Sequence, residues 1–240
     1  VDAKDNPLNS VALANLPELL ELDVSTVSLF GLQPQLTTLN LADLPKLKKL
    51  VAENSGIAQL TLANLPALER LEIYGNQLAA LNLADLPKLD YINAQGNRVA
   101  DMTLANLPSL TQVTVALNAL TALNLTDLPK LERVDASFNR IASVALGNLP
   151  ALERLNLGFN ALTALNLSGL PLLTDVAAPA NQIASADLSG LPDGLSSLNL
   201  AGNRLQGAAP TLRPAQAAAL AAGSKAVVCP NAVAQAATPD

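Results

Sequence analysis

Leu68–Leu83 reads LERLEIYGNQLAALNL, with apolar residues at 68, 71, 73, 78, 81 and 83 and a single Asn76 between them. Near-copies begin at Leu89 and Leu110, and others lie on either side. Repeat starts fall at Leu41, Leu62, Leu83, Leu104, Leu125, Leu146 and Leu167, each 21 residues after the last, and Leu188 opens a longer final repeat. A fixed period of this size is the mark of a solenoid. One such unit cannot bury its apolar face alone, so successive coils must stack and share a core.

Leucines three apart imitate a helix, but each coil also carries a proline after leucine, at Pro45, Pro66, Pro87, Pro108, Pro129, Pro150, Pro171 and Pro192. A proline inside a helix costs ~3 kcal/mol. The run Leu71-x-Ile73 instead has the period of two expected of a strand. The predicted coil is therefore a short strand, a turn led by asparagine, a second extended arm and a turn at Leu-Pro. The motif LADLPKL is expected to form one turn of 3₁₀ helix.

Asn76, Asn97, Asn118, Asn139, Asn160, Asn181 and Asn203 form a column. An inward amide has two donors and an acceptor, enough to satisfy backbone groups of its own coil and the next. Ser55 takes this place in the coil from Leu41, where weaker or shifted pairing is expected. Leu22 to Leu50 spans 28 residues, so an insertion is read at 33–39, where Leu36-Thr-Thr-Leu39-Asn-Leu41 is itself compatible with a short strand.

These residues carry a resemblance. L-x-x-L-x-[LIV]-x-x-N-x-L is the signature of leucine-rich repeat proteins, and the 21-residue version with LTALNL after the asparagine is similar to bacterial repeats of the internalin J type, over roughly residues 13–210. The resemblance implies a right-handed repeat solenoid of the α/β type, mostly strand and loop, with a parallel sheet on its concave side and an extended or 3₁₀ convex side. It also implies a secreted or surface-displayed protein used for adhesion or protein binding. The internal cysteine column of that family is missing. Residues 1–12 read as a leader, 13–210 as about nine repeats, 211–230 as a C-terminal cap (a short helix over Pro210–Gly223, then a strand at Lys225–Cys229), and 231–240 as a loose tail.

Composition narrows the function. Hydrophobic residues make up 50 % and charged residues 14 %, which suits a folded chain, and with aromatics at 2 % and no Trp the core must be aliphatic. The net charge of -6 and the lack of a basic cluster argue against a nucleic-acid partner. No apolar run reaches the ~18 residues of a membrane span. VDAKDNPLNS does not read as a signal peptide. There is no histidine, and Cys229, the one cysteine, reads as a small buried hydrophobe. No phosphate loop, metal spacing or nucleophile motif is present, so neither a cofactor nor catalysis is expected.

Strand alternation predicts three outward rows on the concave sheet. The first is Lys49, Arg70, Tyr91, Gln112, Arg133, Arg154, Asp175; the second is Val51, Glu72, Asn93, Thr114, Asp135, Asn156, Ala177; the third is Glu53, Tyr74, Gln95, Ala116, Ser137, Gly158, Pro179. Two readings fit them: a solvated face that neutralises itself, or a protein-recognition surface. The recognition reading takes Lys49, Arg70, Glu72, Tyr74, Tyr91, Asn93, Gln95, Arg133, Asp135 and Arg154 as partner-binding, since Tyr and Arg are the types that carry binding energy. Leu117, Phe138 and Phe159 form an apolar column just before the asparagine, either packed on the loop rim or exposed for a partner. A structural or assembly role, or a targeting domain of a larger secreted bacterial effector, is the alternative. Finally, LADLPK at 41 and 83 and LTDLPK at 125 alternate with LANLPA, LANLPS and LGNLPA, a second period of 42 that keeps Lys46, Lys88 and Lys130 from being direct neighbours.

Overall fold

The computed structural model describes residues 1–6, 8–26, 35–188 and 190–205. The chain divides into two units, Val1–Leu120 and Thr121–Asp240. In each, short parallel strands repeat every coil. The first unit runs β1 (Ser10–Ala14), β2 (Glu21–Asp23), β3 (Thr38–Ala42), β4 (Lys49–Val51), β5 (Gln59–Ala63), β6 (Arg70–Glu72), β7 (Ala80–Ala84), β8 (Tyr91–Asn93), β9 (Asp101–Ala105) and β10 (Gln112–Thr114). The second runs β11 (Ala122–Asn124), β12 (Arg133–Asp135), β13 (Ser143–Ala145), β14 (Arg154–Asn156), β15 (Ala164–Asn166), β16 (Asp175–Ala177), β17 (Ser185–Asp187) and β18 (Ser197–Asn199).

The even-numbered strands form the main sheet of each unit, in the order β2-β4-β6-β8-β10 in the first and β12-β14-β16-β18 in the second. The odd-numbered strands make smaller sheets: β1-β3-β5 and β7-β9 in the first unit, β11-β13 and β15-β17 in the second. Register follows the repeat: Leu50 pairs Leu71, and Leu71 pairs Ile92. Leu22 pairs Leu50 across the long first step, and Ser10 pairs Thr38, which places Leu39 and Leu41 in a strand as the sequence allows.

Inward residues explain why the coils stack. Leu65, Leu68, Leu71, Ile73, Leu78, Leu81 and Leu83 are each no more than 3 % exposed. Full burial of one such side chain contributes about 1.5–3 kcal/mol. The asparagine column ties coil to coil. Asn97 Nδ2 donates to Ala94 O in its own coil and to Ile73 O in the coil before, both at 3.0 Å, and its Oδ1 accepts from Leu78 N at 3.1 Å. Asn160 repeats the set with Leu157 O, Ala136 O and Ile141 N. The second coil served is therefore the preceding one, not the following one. Each such carbonyl accepts twice, from the asparagine of its own coil and from that of the next: Ile73 O from Asn76 and Asn97, Ala136 O from Asn139 and Asn160. Ser55 does shift the pattern: its Oγ donates to Val24 O at 2.8 Å, but a hydroxyl has one proton where the amide has two.

At the Leu-Pro motifs the expected 3₁₀ turn is reduced to a single bond from residue i+3 to i, as from Leu47 N to Leu44 O at 3.2 Å and from Leu89 N to Leu86 O at 3.1 Å. The residue before each of these turns has positive φ: Asn15, Asp43, Asn64, Asp85, Asn106, Asp127 and Asn148 lie between 53° and 59°. Asn and Asp enter this left-handed region at least cost among non-glycine residues. Three of these asparagines also donate to the Asp of the coil before, Asn64 to Asp43 and Asn106 to Asp85 at 2.8 Å and Asn148 to Asp127 at 3.0 Å. The 42-residue period thus has a local cause beyond spacing the lysines. A column of Asp alone would repel itself, whereas alternation gives every Asp a donor.

Residues 1–6 run along the edge of β2. Ala3 N donates to Asp23 O (2.8 Å) and Asp23 N to Val1 O (3.0 Å), which covers backbone groups that an edge strand leaves open. The predicted cap at 211–230, the tail at 231–240 and Cys229 lie outside the described residues. Among the described residues there is no helix, and none is long and apolar enough to cross a membrane.

Candidate interaction surface on the main sheet

Each main-sheet strand is three residues long, with the middle one buried and its two neighbours turned outward. The first two predicted rows therefore stand where alternation puts them. The third does not. Ala116 and Ser137 are 4 % exposed, and Gly158 is also buried. The buried members are the small side chains of the row, overshadowed by larger neighbours: a Cβ at Gly158 would lie 3.0 Å from Pro179 Cδ. Glu53, Tyr74 and Gln95 remain half-buried at the same place.

In the first unit the predicted residues Lys49, Arg70, Glu72, Tyr91 and Tyr74 are brought together. Register places Arg70 between Lys49 and Tyr91. Glu72 Oε1 lies 3.2 Å from Lys49 Nζ and 3.4 Å from both Nε and Nη2 of Arg70, so one carboxylate serves two cations. The Arg70 guanidinium lies over the Tyr91 ring, 4.1 Å from its centroid, a cation–π contact. The Tyr74 hydroxyl accepts from Asn54 Nδ2 at 3.0 Å.

Two further carboxyls, Glu53 and Asp23, interact with this cluster. Burial raises the Glu53 carboxyl above its ordinary value of 4.5, and the charge of Glu72 and a hydrogen bond between the two carboxyls raise it further; Asp23 adds to this and Lys49 opposes it. Asp23 moves the other way. Burial alone would raise it, but hydrogen bonds from Ser25 N and Lys4 outweigh that and hold it below its ordinary 3.8. Lys4 Nζ lies 3.0 Å from Asp23 Oδ2.

Some predicted binding residues carry local structural bonds. Asn93 Oδ1 accepts from Gln95 N (3.2 Å), and Asp135 Oδ1 accepts from both Ser137 N (3.0 Å) and Ser137 Oγ (2.7 Å). Asp23, Asn156 and Asn199 accept from the backbone two residues on in the same way. Short Asx side chains stabilise turns in this manner, so the recurrence of Asp and Asn in the second row reports turn chemistry as well as surface.

In the second unit Arg133 and Arg154 face each other in register on β12 and β14. Both are exposed, and neither makes an ion pair among the described residues. On the same two coils, Phe138 and Phe159 stack with centroids 4.4 Å apart and planes at 7°. They are 48 % and 49 % exposed, and Leu117 in the first unit is 50 % exposed, so the apolar column is an outward strip. Leu117, Phe138 and Phe159 have φ of 57°, 55° and 58°, at the place where Gly75, Gly96 and Gly202 stand in other coils. The sequence clue that went unread was that column of Gly just before Asn. Among the described residues no cluster of His, Cys, Asp and Glu could hold a metal ion.

No protein-family model and no curated protein matches the chain. Solved structures do. The leucine-rich repeat domain of LRIM1 matches with a TM-score of 0.55 at 19 % identity, over 76 % of this chain and 66 % of that one. The leucine-rich repeat domain of APL1B matches with a TM-score of 0.55 at 22 % identity, over 79 % and 56 %. TLR13, solved as a complex with ssRNA13, matches with a TM-score of 0.54 at 20 % identity, over 84 % and 39 %. The chain thus spans from about two fifths to just under two thirds of these chains. Its fold is that of a leucine-rich repeat solenoid.

Proposed function

We propose that this chain is a non-catalytic protein-recognition module that binds its partner through the outward side chains of the main sheet. The observation that carries the reading is the contrast between the two faces of each strand. Leu50, Leu71, Ile92, Val113, Val134, Leu155 and Val176 repeat one buried role, whereas their outward neighbours change chemistry from coil to coil. A solenoid needs only the first set to fold. LRIM1 is also solved in a complex with APL1C, a structure this chain matches with a TM-score of 0.50 at 18 % identity, which supports a protein partner. The TLR13 complex holds RNA, but a net charge of -6 disfavours a phosphate ligand here.

Tyr91 and Arg70 form the centre of the first unit's surface. The test is photo-crosslinking from position 91, with position 88 on the Leu-Pro turn as control, in lysate and medium of the source cells. A discrete partner captured from 91, absent from 88, and lost in R70E/E72K is the expected result. Equal capture from both positions, or capture unaffected by the charge reversal, would place the interface elsewhere. Resemblance of the repeat to the internalin J type supports a secreted or surface-displayed bacterial protein used in adhesion. Recovery of the protein only from the cytosolic fraction of its source cells would rule that setting out.

A further inference from the structure

We infer that Arg133, Arg154 and the Phe138–Phe159 stack together form a docking site for an acidic peptide segment of the partner protein, its carboxylates on the arginines and an adjacent apolar side chain on the phenylalanines. The inference rests on the reading of the main sheet as a recognition surface and gives that partner a chemistry.

The first observation is a pair of like charges in register, neither held in an ion pair among the described residues. Parallel strands lie about 4.8 Å apart, and Arg133 is directly opposite Arg154. Like charges so placed destabilise a sheet. No acid forms an ion pair with either arginine among the described residues, although Glu132, Asp135, Glu153 and Asp175 are close in sequence or register. Asp135 is held by Ser137 through two bonds, and Asp175, in register beside Arg154, forms no ion pair with it among the described residues. The first unit handles its Lys49 and Arg70 differently, with Glu72 between them and Tyr91 beneath Arg70.

The second observation is independent. Phe138 and Phe159 occupy left-handed backbone positions, where a bulky residue is strained and Gly is not. They are half exposed, so burial does not explain them either. Strain that the fold does not need collects at functional sites. Each phenylalanine follows its arginine by five residues on the same coil.

The chemistry of the occupant follows from the two together. Guanidinium forks match the planar geometry of carboxylates and bind them in bidentate fashion. Flat exposed rings take apolar or aromatic side chains. An extended nucleic acid would need many more phosphate contacts than two arginines supply. The overall charge of -6 repels an acidic segment at long range, so the attraction is local and screened by salt.

The test is fluorescence anisotropy of the full chain with a fluorescein-labelled Glu-Glu-Phe-Glu-Glu peptide. Saturable binding that weakens with salt is expected. R133Q/R154Q should weaken it about tenfold or more, the loss expected for a charge-assisted contact, and F138S/F159S should weaken it at unchanged salt dependence. K88Q/K130Q should bind as the parent does. No binding by the parent, an equal loss in K88Q/K130Q, or equally tight binding of a single-stranded oligonucleotide of the same charge would overturn the site. A thermal melt gives a second readout. R133Q should raise the melting temperature by relieving repulsion, and a fall would make the arginines part of the frame. If the peptide fails while position 91 still crosslinks a partner, only the acidic-segment site is lost.

Discussion

Arg70 and Arg154 hold the same place in their coils and have opposite surroundings. Arg70 shares the Glu72 carboxylate with Lys49 and covers Tyr91. Arg154 faces Arg133, with Asp135 already committed to its own turn. A repeat decides where a side chain stands. The neighbour in register, 21 residues away, decides whether its charge is satisfied. The turn position before the asparagine differs in parallel. Gly75 and Gly96 fill it without strain and Leu117, in the same unit, against strain, whereas Phe138 and Phe159 fill it against strain on two successive coils of the second unit, where Gly202 later stands.

The comparison holds only if both units share one frame, and the largest expected effect tests that. Asn97→Ala leaves Leu78 N unpaired and takes one of two asparagine donors from Ile73 O and Ala94 O, and Asn160→Ala does the same to Ile141 N, Ala136 O and Leu157 O in the second unit. With about 1–3 kcal/mol for the unpaired amide and about 0.5–1.5 kcal/mol for each second bond lost, partly relieved by water, each variant should lose about 3 kcal/mol in urea unfolding. A large loss in one and little in the other would break the equivalence of the frames.

Next in size is the turn position. Gly75→Ala places a Cβ against Asn54 Oδ1 at a φ of 70° and should cost about 2 kcal/mol. Phe138→Gly should be near neutral, because relief of about 1–2 kcal/mol of backbone strain offsets about 0.5–1.5 kcal/mol of ring stacking. Denaturant midpoints of the two variants make the check. A costly Phe138→Gly would mean that the stack supports the fold.

Glu72→Gln makes the first unit resemble the second. It frees Lys49 and Arg70 and removes a repulsion on Glu53. Stability should change by about 0.5 kcal/mol or less, as for exposed pairs, while affinity for the acidic peptide should rise. A peptide titration without a gain would show that unpaired cations alone do not make the site.

The smallest effect is in pH. Native Glu53 keeps its proton to higher pH than the unfolded chain does, so its contribution is full below about 4.5 and is lost as pH rises through the native value. Asp23 has the opposite sign and loses its contribution as pH falls below 3.8 through its lowered native value. Glu53→Gln should flatten thermal stability on the upper side of this window and leave the lower side unchanged. An unaltered profile would show that burial and Glu72 do not raise the Glu53 carboxyl.

Much of the fold was legible because it repeats. The places of Leu71, Ile73 and Leu78 stay apolar from coil to coil, an asparagine stands at the place of Asn76 in seven coils, and eight prolines at one phase exclude a helix. The candidate site was legible only in part. Arg70, Glu72 and Tyr91 were found by alternation, but Ala116, Ser137 and Gly158 were misplaced outward because small side chains at that place are covered by their neighbours in register, as Gly158 is by Pro179. Asn93 and Asp135 were read as binding groups alone, since a turn bond two residues away leaves no periodic trace.

By itself the sequence determined the solenoid, its period and its buried set, because each coil must present the same face to the next. Tertiary structure alone decided which charges are satisfied, which turn positions are strained and which apolar side chains stay in water. Those depend on neighbours one coil apart and on the sign of φ. No pattern along a single coil records either of them.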